Sequence, residues 1–213
     1  GADTPPRRVL GLGGRFGPDD FADTPNTQIA IYDYADVPLI YEGRGLPTKP
    51  GTTVLDQVNG IRVGVVAHCE CGYVSGLVGC AAYDPAGKLI KQFGGDGGRG
   101  HMDNFLDAVR SRRASDLAAP AIAGHVTAAM CHYGNISLRV GAAAEPATIA
   151  RAVESIPAAV QINRSIQEHL NVHGFDLAKR RLALGPWLEI DSATYGITQV
   201  SSRDDAALKR ARY

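Results

Sequence analysis

Hydrophobic and polar residues follow two different rhythms along the chain. Between residues 8 and 93, short segments alternate apolar and polar positions and are interrupted by glycine and proline, a pattern that predicts β-strands. Between residues 100 and 173, apolar residues recur every three to four positions, which predicts amphipathic helices. Strands followed by helices, without regular alternation of the two, predict an α+β fold. We expect an open, mostly antiparallel sheet with helices packed on one face.

Two pairs of alternating segments predict hairpins. Residues 27–34 and 37–44 flank a short Ala35-Asp36 link. Residues 81–93 contain Asp84-Pro85-Ala86-Gly87, whose composition is typical of a turn between two strands. Each pair is expected to contribute two neighbouring antiparallel strands.

The periodic region predicts four helices. The first spans 101–112, the second begins at residue 118 or 120 and ends at Val140, and two shorter helices cover 147–154 and 159–172. The buried stripe of the first helix is expected to consist of Met102, Phe105, Leu106 and Val109. That of the second is expected to consist of Ile122, Val126, Ala129, Met130, Tyr133, Ile136 and Val140. Residues 174–213 are predicted to be irregular.

Composition narrows the range of partners. The 213 residues are 45% apolar, enough to build a core, and 22 basic side chains balance 22 acidic ones. This balance argues against nucleic acid or an anionic membrane surface as a partner. No apolar run approaches the roughly 20 residues that a membrane-spanning helix needs. The first residues lack the apolar stretch of a signal peptide, and the compartment stays open between cytoplasm and periplasm.

A glycine-rich loop at residues 94–100 contains the spacing G-x-G-x-x-G, which in other proteins holds a dinucleotide pyrophosphate. The context argues against that function here. The preceding segment KLIKQF alternates polar and apolar residues, whereas the strand before a dinucleotide loop is buried and continuously apolar. The region after the following helix predicts another helix and no strand that ends in an acidic residue. We therefore interpret the loop as a mobile link between sheet and helix.

The cysteines and histidines do not match a metal or catalytic pattern. Residues 62–74 predict one long strand with Cys69 and Cys71 on an apolar face and His68 on the opposite face, which favours small buried thiols over zinc ligands. His125 and His132, seven residues apart on the second helix, are interpreted as histidines at the border of the core.

The first hairpin also predicts a polar sheet face. Glu42 and Arg44 alternate with Leu39 and Tyr41, and Gln28 is expected to lie beside Glu42 and Arg44 across the hairpin. A polar face accompanied by Tyr32 and Tyr34 suits a hydroxyl-rich ligand or a subunit interface, and a solvated surface is equally compatible with the pattern.

Four stretches together resemble one protein family. Residues 13–47, 101–117, 123–141 and 184–191 are similar, in the same order, to the C-terminal half of the glucose-fructose oxidoreductase and inositol dehydrogenase (Gfo/Idh/MocA) family of NAD(P)-dependent oxidoreductases. Members of this family combine an N-terminal Rossmann domain with a C-terminal α+β domain like that of dihydrodipicolinate reductase. The resemblance covers only the second of these, and no Rossmann domain is expected in this chain.

The resemblance implies one domain over 1–213, with its sheet in 8–93 and its helices in 100–173. It implies a substrate-binding and oligomerisation domain of an enzyme that acts on a sugar or polyol, with NAD or NADP bound by a part of the enzyme that precedes residue 1. No catalytic, cofactor-binding or metal-binding residue is therefore assigned. A homo-oligomer formed through the sheet face is expected. The alternative is a non-catalytic carbohydrate-binding or dimerisation module.

Six residues are predicted to contact substrate. Two of them lie in the stretches GGRF and TPNTQ, which are similar to the family pattern, and four follow from their positions on strand faces. The predicted contacts are Arg15, Asn26, Gln28, Glu42, Arg44 and His68.

Overall fold

The structure is a computed structural model that describes residues 4–17, 21–58 and 60–200. It has an α+β fold with antiparallel sheets, as the sequence predicted. The strands are β1 (Arg8–Gly14), β2 (Thr27–Asp33), β3 (Leu39–Arg44), β4 (Val65–Cys69), β5 (Gly72–Gly76), β6 (Cys80–Tyr83), β7 (Leu89–Phe93), β8 (Ala142–Ala143), β9 (Ala183–Leu184), β10 (Leu188–Ile190) and β11 (Ile197–Val200). The α-helices are α1 (His101–Ser111), α2 (Ala121–Val140), α3 (Pro146–Val153) and α4 (Pro157–Val172).

The chain divides into two compact units. The first unit combines the segment up to Val54 with the segment from Ile122 onwards, and the second unit is Leu55–Ala121. Each unit has its own antiparallel sheet. The first sheet has the order β11-β10-β1-β2-β3, with β9 pairing both β1 and β8, and the second has the order β4-β5-β6-β7. The assignment of the whole chain to a single substrate and oligomerisation domain stays a prediction.

The main core of the first unit lies between its sheet and helices α3 and α4. Leu10 stands opposite Ile31 and Leu12 opposite Ile29, so these four side chains point to the same face, here called the α4-side face. They pack against helical side chains that are at most 1% exposed, namely Ile149, Val153, Ala159, Ile166 and Leu170. Burial on this scale is the main stabilising contribution to such a unit.

Helix α2 covers the opposite face of the same sheet, here called the α2-side face. Tyr133 packs on Val9 and Ala30 in a second, smaller core. Strand and helix come close at Gly11, where an added Cβ would lie 2.4 Å from the carbonyl oxygen of Gly134. The sequence predicted helices on one face only, and α2 adds a second covered face.

The stripe predicted for α2 is only partly buried. Val126 and Tyr133 are buried, whereas Ile122 is 59% exposed. The members of intermediate burial are Ala129, Met130, Ile136 and Val140. The helix ends at Val140, directly before Gly141, as predicted.

The prediction of an irregular tail is wrong for its described part. Three short strands, β9, β10 and β11, join the first sheet, and β10 pairs with β1 through Val9 and Leu188. Leu188 is 1% exposed and belongs to the core. Strands of two to four residues are too short to show alternation. β1, with which β9 and β10 pair, lies at least 170 residues earlier in the chain.

The prediction of one long strand over 62–74 is also wrong. β4 and β5 form a hairpin in which His68 lies opposite Tyr73 and Cys69 opposite Gly72. Gly72 adopts a φ of 146°, a conformation that favours glycine. The two turn residues, Glu70 and Cys71, do not include the Asn-Gly or Asp-Gly pair that usually reveals such a turn.

The hairpin predicted over 81–93 is confirmed as β6 and β7. Its turn is organised by Asp84, whose Oδ1 accepts hydrogen bonds from the N–H groups of Ala86 and Lys88 at 2.9 and 2.8 Å. The Gly87 N–H donates to the Asp84 carbonyl oxygen at 3.0 Å. This is the turn chemistry expected of an aspartate followed by proline and glycine.

Helix α1 forms where it was predicted, but its apolar stripe is exposed. Its four predicted core residues, Met102, Phe105, Leu106 and Val109, are between 40% and 61% exposed. Among the described residues of the second unit, only Ser75 and Ala108 are buried. The periodicity correctly predicted a helix with an apolar face, but a periodic pattern does not say what covers that face. Among the helices of the described ranges, none has both the length and the apolar character to cross a bilayer.

Candidate functional site

Glu42 and Arg44 share the α4-side face of β3 and are bound to each other. Arg44 Nε donates to Glu42 Oε1 at 2.5 Å, and Arg44 Nη2 donates to Ser165 Oγ of α4 at 2.9 Å. The side chain of Arg44 is only 12% exposed and that of Glu42 only 14%. The pair therefore fastens β3 to α4 and offers little surface to a ligand.

Gln28 lies on the other face, contrary to the prediction. In the register of β2 and β3, Gln28 stands opposite Gly43, whereas Glu42 stands opposite Ile29. Gln28 therefore shares the α2-side face with Tyr41. The pairing register of a hairpin depends on the length of the connection between its strands. A shift of the register by one residue moves every side chain of a strand to the opposite face.

Asn26 and Arg15 shape the connection between β1 and β2. Asn26 Nδ2 donates to the Phe16 carbonyl oxygen at 2.6 Å, and its Oδ1 accepts from the Phe16 N–H at 3.0 Å. Arg15 Nη1 donates to the Thr24 carbonyl oxygen at 3.1 Å. Both side chains hold the local backbone, so their geometry shows a structural role, and contact with substrate stays a prediction.

His68 lies in the second unit and heads a row of aromatic side chains. Its ring centroid lies 6.2 Å from that of Tyr73, which stacks on Tyr83 at 4.9 Å. These three residues occupy neighbouring strands in cross-strand pairs, a common way of stabilising a sheet. This arrangement does not show whether His68 contacts substrate, and that contact stays a prediction.

The α2-side face carries a cluster of uncharged polar groups, here called the tyrosine face and composed of Gln28, Tyr32, Tyr34 and Tyr41. Tyr41 and Gln28 meet above Gly43: a Cβ added to this glycine would lie 3.2 Å from Tyr41 Oη and 3.5 Å from Gln28 Cγ. The lack of a side chain at Gly43 thus leaves room for a phenol and an amide side by side. Tyr41 is 50% exposed.

The deeper part of the tyrosine face contacts α2. Tyr34 Oη donates to Met130 Sδ at 3.3 Å. Tyr32 is only 6% exposed, and its Oη lies 3.0 Å from the position that a Cβ on Gly134 would take. Exposure across the tyrosine face therefore rises from Tyr32, which is buried, to Tyr41, which is half exposed.

Burial disfavours ionisation of the two deeper phenols, Tyr32 and Tyr34. It raises the pKa of Tyr32 to about 12, with further contributions from nearby Cys131, Tyr41 and Tyr34, and burial also raises the pKa of Tyr34. The tyrosine face thus combines hydroxyl groups, which both donate and accept hydrogen bonds, with the amide of Gln28, which does the same. Such a set suits a neutral ligand with many hydroxyl groups and provides no charge to attract a phosphate or carboxylate.

The glycine loop does not fit a dinucleotide. Asp96 Oδ1 accepts from the Gly98 N–H at 2.7 Å and Oδ2 accepts from the Gly100 N–H at 3.1 Å, and these hydrogen bonds lower the pKa of Asp96. The amides that would hold a pyrophosphate are thus bound to a carboxylate of the loop itself, whose charge would repel the phosphate. The preceding strand β7 is exposed along its length.

The prediction of buried thiols is wrong for the hairpin cysteines. Cys69 and Cys71 are both exposed and free, because the turn at Glu70-Cys71 places them at the tip of the hairpin. Within the described ranges, no three His, Cys, Asp or Glu side chains converge as a metal site. His125 packs its ring on Tyr195 at 5.6 Å, consistent with its interpretation as a border histidine.

Comparisons with known proteins add no assignment: no family model, curated protein or solved structure matches the chain. The resemblance to the Gfo/Idh/MocA family therefore stays a prediction that rests on the sequence stretches themselves.

Tyr41 is not among the site residues predicted from the sequence. Its position on the face opposite Glu42 and Arg44 was predicted, and the register confirms it. Pairing Gln28 with Gly43 rather than with Glu42 would have revealed the cluster, and that choice depends on a connection in which Ala35 adopts a φ of 72°. Nothing in the residue Ala35 signals this conformation.

Proposed function

We propose that the chain is the substrate-side and assembly domain of an NAD(P)-dependent oxidoreductase that acts on a sugar or polyol. The observation that carries the substrate class is the tyrosine face. Tyr41 Oη and the Gln28 side chain adjoin on a half-exposed surface without charged members. A neutral polyhydroxylated ligand matches such a surface because each of its hydroxyl groups both donates and accepts hydrogen bonds. The resemblance to the Gfo/Idh/MocA family supports the reaction class.

In this proposal the domain positions the substrate and does not supply the acid or base. The raised pKa values of Tyr32 and Tyr34 make these phenols weaker acids and leave little phenolate to act as a base at neutral pH. Binding and orientation are sufficient to contribute strongly to a hydride transfer, because the reacting carbon must be held against the nicotinamide. NAD or NADP and the proton-transfer group would belong to a part of the enzyme outside these 213 residues.

The tyrosine face equally favours a second function, a non-catalytic carbohydrate-binding or dimerisation module. The two functions share the ligand class and differ in whether a nucleotide-binding part accompanies the domain. A gene product that contains this chain and oxidises a polyol with NAD(P) supports the enzyme. Binding of the same polyol without any NAD(P)-dependent turnover favours the module.

Ligand-observed NMR with a panel of neutral sugars and polyols tests the ligand class. We expect binding by at least one neutral member. The variants Tyr41→Phe and Gln28→Leu are expected to weaken it by about 2- to 10-fold each, the value of one lost hydrogen bond. Tyr83→Phe, on the second sheet, is the matched control and is expected to leave affinity unchanged. The proposal fails if only charged ligands bind, or if the first two variants bind as well as the unchanged chain.

Titration of the chain with NADH and NADPH tests the location of the nucleotide. We expect no saturable binding, because the one loop with a dinucleotide spacing is bound to its own Asp96. Micromolar binding would show that these 213 residues contain a nucleotide site and would contradict this part of the proposal.

A further inference from the structure

The two outer strands of the second sheet differ in their protection against further pairing. β4 and β7 are the outer strands in the order β4-β5-β6-β7. β7 carries Lys91 in its middle, with its Nζ 5.1 Å from the centroid of the Phe93 ring, and Lys88 directly precedes the strand. Lysines on an edge strand prevent pairing with another chain, because a second strand would have to bury or face their charges.

β4 has no such protection. Its sequence, Val-Val-Ala-His-Cys, contains no lysine, arginine, acidic residue or proline. Every residue except Val66 is exposed, and Val65 is 66% exposed. Among the strands of the described ranges, only β5 pairs with β4. An uncharged, exposed edge of this kind is a ready template for another strand.

The direction of the backbone groups along β4 follows from the hairpin. Cys69 and Gly72 close a two-residue turn and are expected to exchange hydrogen bonds, as the closing pair of such a hairpin does. Alternate residues then point the other way, so Val66 and His68 direct their N–H and C=O groups to the free edge. These two residues lie symmetrically on either side of Ala67.

We propose that β4 pairs with β4 of a second copy of this chain, antiparallel and centred on Ala67. Val66 of one copy then faces His68 of the other, and both pairs exchange backbone hydrogen bonds. The two Ala67 residues face each other in the non-hydrogen-bonded position, where Cα atoms are about 4.5 Å apart. Their small side chains allow this approach. The pairing joins two four-stranded sheets into one continuous sheet.

The second copy is the occupant that the structure favours because the edge is complementary to itself. β4 carries no acidic residue, lysine or arginine and has its smallest side chain, Ala67, at the two-fold axis, so two copies meet without like-charge repulsion or steric conflict. The second unit also gains most from association, since Ser75 and Ala108 are its only buried members among the described residues. The inference rests on the assembly role in the proposed function and is independent of the substrate-binding role, which the ligand titrations test separately.

Sedimentation velocity of the whole chain tests this pairing. We expect a dimer at micromolar concentration. Ala67→Lys is expected to raise the dimer dissociation constant at least about 10-fold, because two ammonium groups would meet at the two-fold axis. Gln92→Lys, which adds the same charge to β7, is the matched control and is expected to leave the dimer unchanged.

Disulfide trapping provides a test that does not depend on weakening the fold. In a background with the four cysteines replaced by serine, Ala67→Cys is expected to form a covalent dimer with glutathione disulfide, which is reduced to glutathione as the two thiols are oxidised. Gln92→Cys, which leaves β4 unchanged, is expected to form little covalent dimer. The inference is overturned if the chain sediments as a monomer at about 100 μM, if the dimer withstands Ala67→Lys, or if Gln92→Cys is trapped as readily as Ala67→Cys.

Discussion

Asp33 at the end of β2 accepts three hydrogen bonds that tie it to β1 and to its own turn. Arg8 Nε and Arg7 Nη2 donate to its carboxylate at 2.8 and 3.2 Å, and the Ala35 N–H donates at 2.9 Å. Partial burial acts to raise the pKa of Asp33, but these hydrogen bonds outweigh it and hold the pKa below its ordinary value. A lowered folded-state pKa means that the carboxylate stabilises the fold above its unfolded pKa and loses this contribution as the pH falls through the folded one.

We therefore expect Asp33→Asn to lower the free energy of unfolding by about 1–2 kcal/mol at pH 7, with a difference that shrinks as the pH falls from about 4 towards 2. Urea unfolding at a series of pH values measures this. Asp36→Asn, three residues on and exposed, is the control and is expected to change stability by less than about 0.5 kcal/mol. A difference that stays constant down to pH 2 would contradict the assigned cause.

Ser137 of α2 is fully buried and satisfies two backbone groups of distant segments. Its Oγ accepts from the Gly11 N–H at 2.8 Å and donates to the Pro186 carbonyl oxygen at 2.7 Å. Ser137→Ala removes the partner of a buried N–H group and of a part-buried carbonyl oxygen, and we expect a loss of about 1–3 kcal/mol in the free energy of unfolding. Thr127→Ala, which removes an exposed hydroxyl from the same helix, is expected to cost less than about 0.5 kcal/mol. Equal losses for the two variants would exclude this role.

The candidate site shows which features the alternation along a strand predicts and which depend on contacts elsewhere in the chain. Alternation along β3 was enough to place Glu42 and Arg44 together and Tyr41 on the other face. Alternation did not show that the two charges bind each other and Ser165, which lies more than 120 residues away in the chain. It also misplaced Gln28, because pairing across a hairpin depends on the connection and not on the strands.

At the scale of elements, helices were easier to predict than strands. A helix such as α4 repeats its apolar spacing over sixteen residues, whereas β9 has only two. Gly141 and the prolines at the starts of α3 and α4 also mark helix boundaries in the sequence. The hairpin of β4 and β5 was hidden because its turn lacks the usual glycine or asparagine signal.

The packing of α2 on β1 gives a prediction at this scale. At Gly11 an added Cβ would lie 2.4 Å from the Gly134 carbonyl oxygen, so Gly11→Ala must separate helix and strand and is expected to cost about 1–3 kcal/mol. Gly124, in the same helix, has nothing within 4 Å of an added Cβ, and Gly124→Ala is expected to stabilise by about 0.4–1 kcal/mol. Thermal unfolding of both variants measures these two changes in stability. Stabilisation by Gly11→Ala would contradict the close approach.

At the scale of the whole molecule, the two units differ in how much they bury. The first unit has cores on both faces of its sheet, and the second has few buried residues and an exposed apolar helix face. The first unit thus supports the tyrosine face with well-packed side chains on both faces of its sheet. The second has the character of a surface for association, which agrees with the pairing proposed for β4.

We propose that the tyrosine face of the first unit binds a neutral polyhydroxylated ligand. Residue-resolved NMR of the isotope-labelled chain, titrated with the best-binding neutral sugar or polyol, tests it most directly. We expect the largest shift changes on the amides of β2 and β3 around Gln28, Tyr41 and Gly43, with the side-chain amide of Gln28 among them. Shift changes confined to the glycine loop at 94–100 or to the second sheet, with none around Gly43, would contradict it.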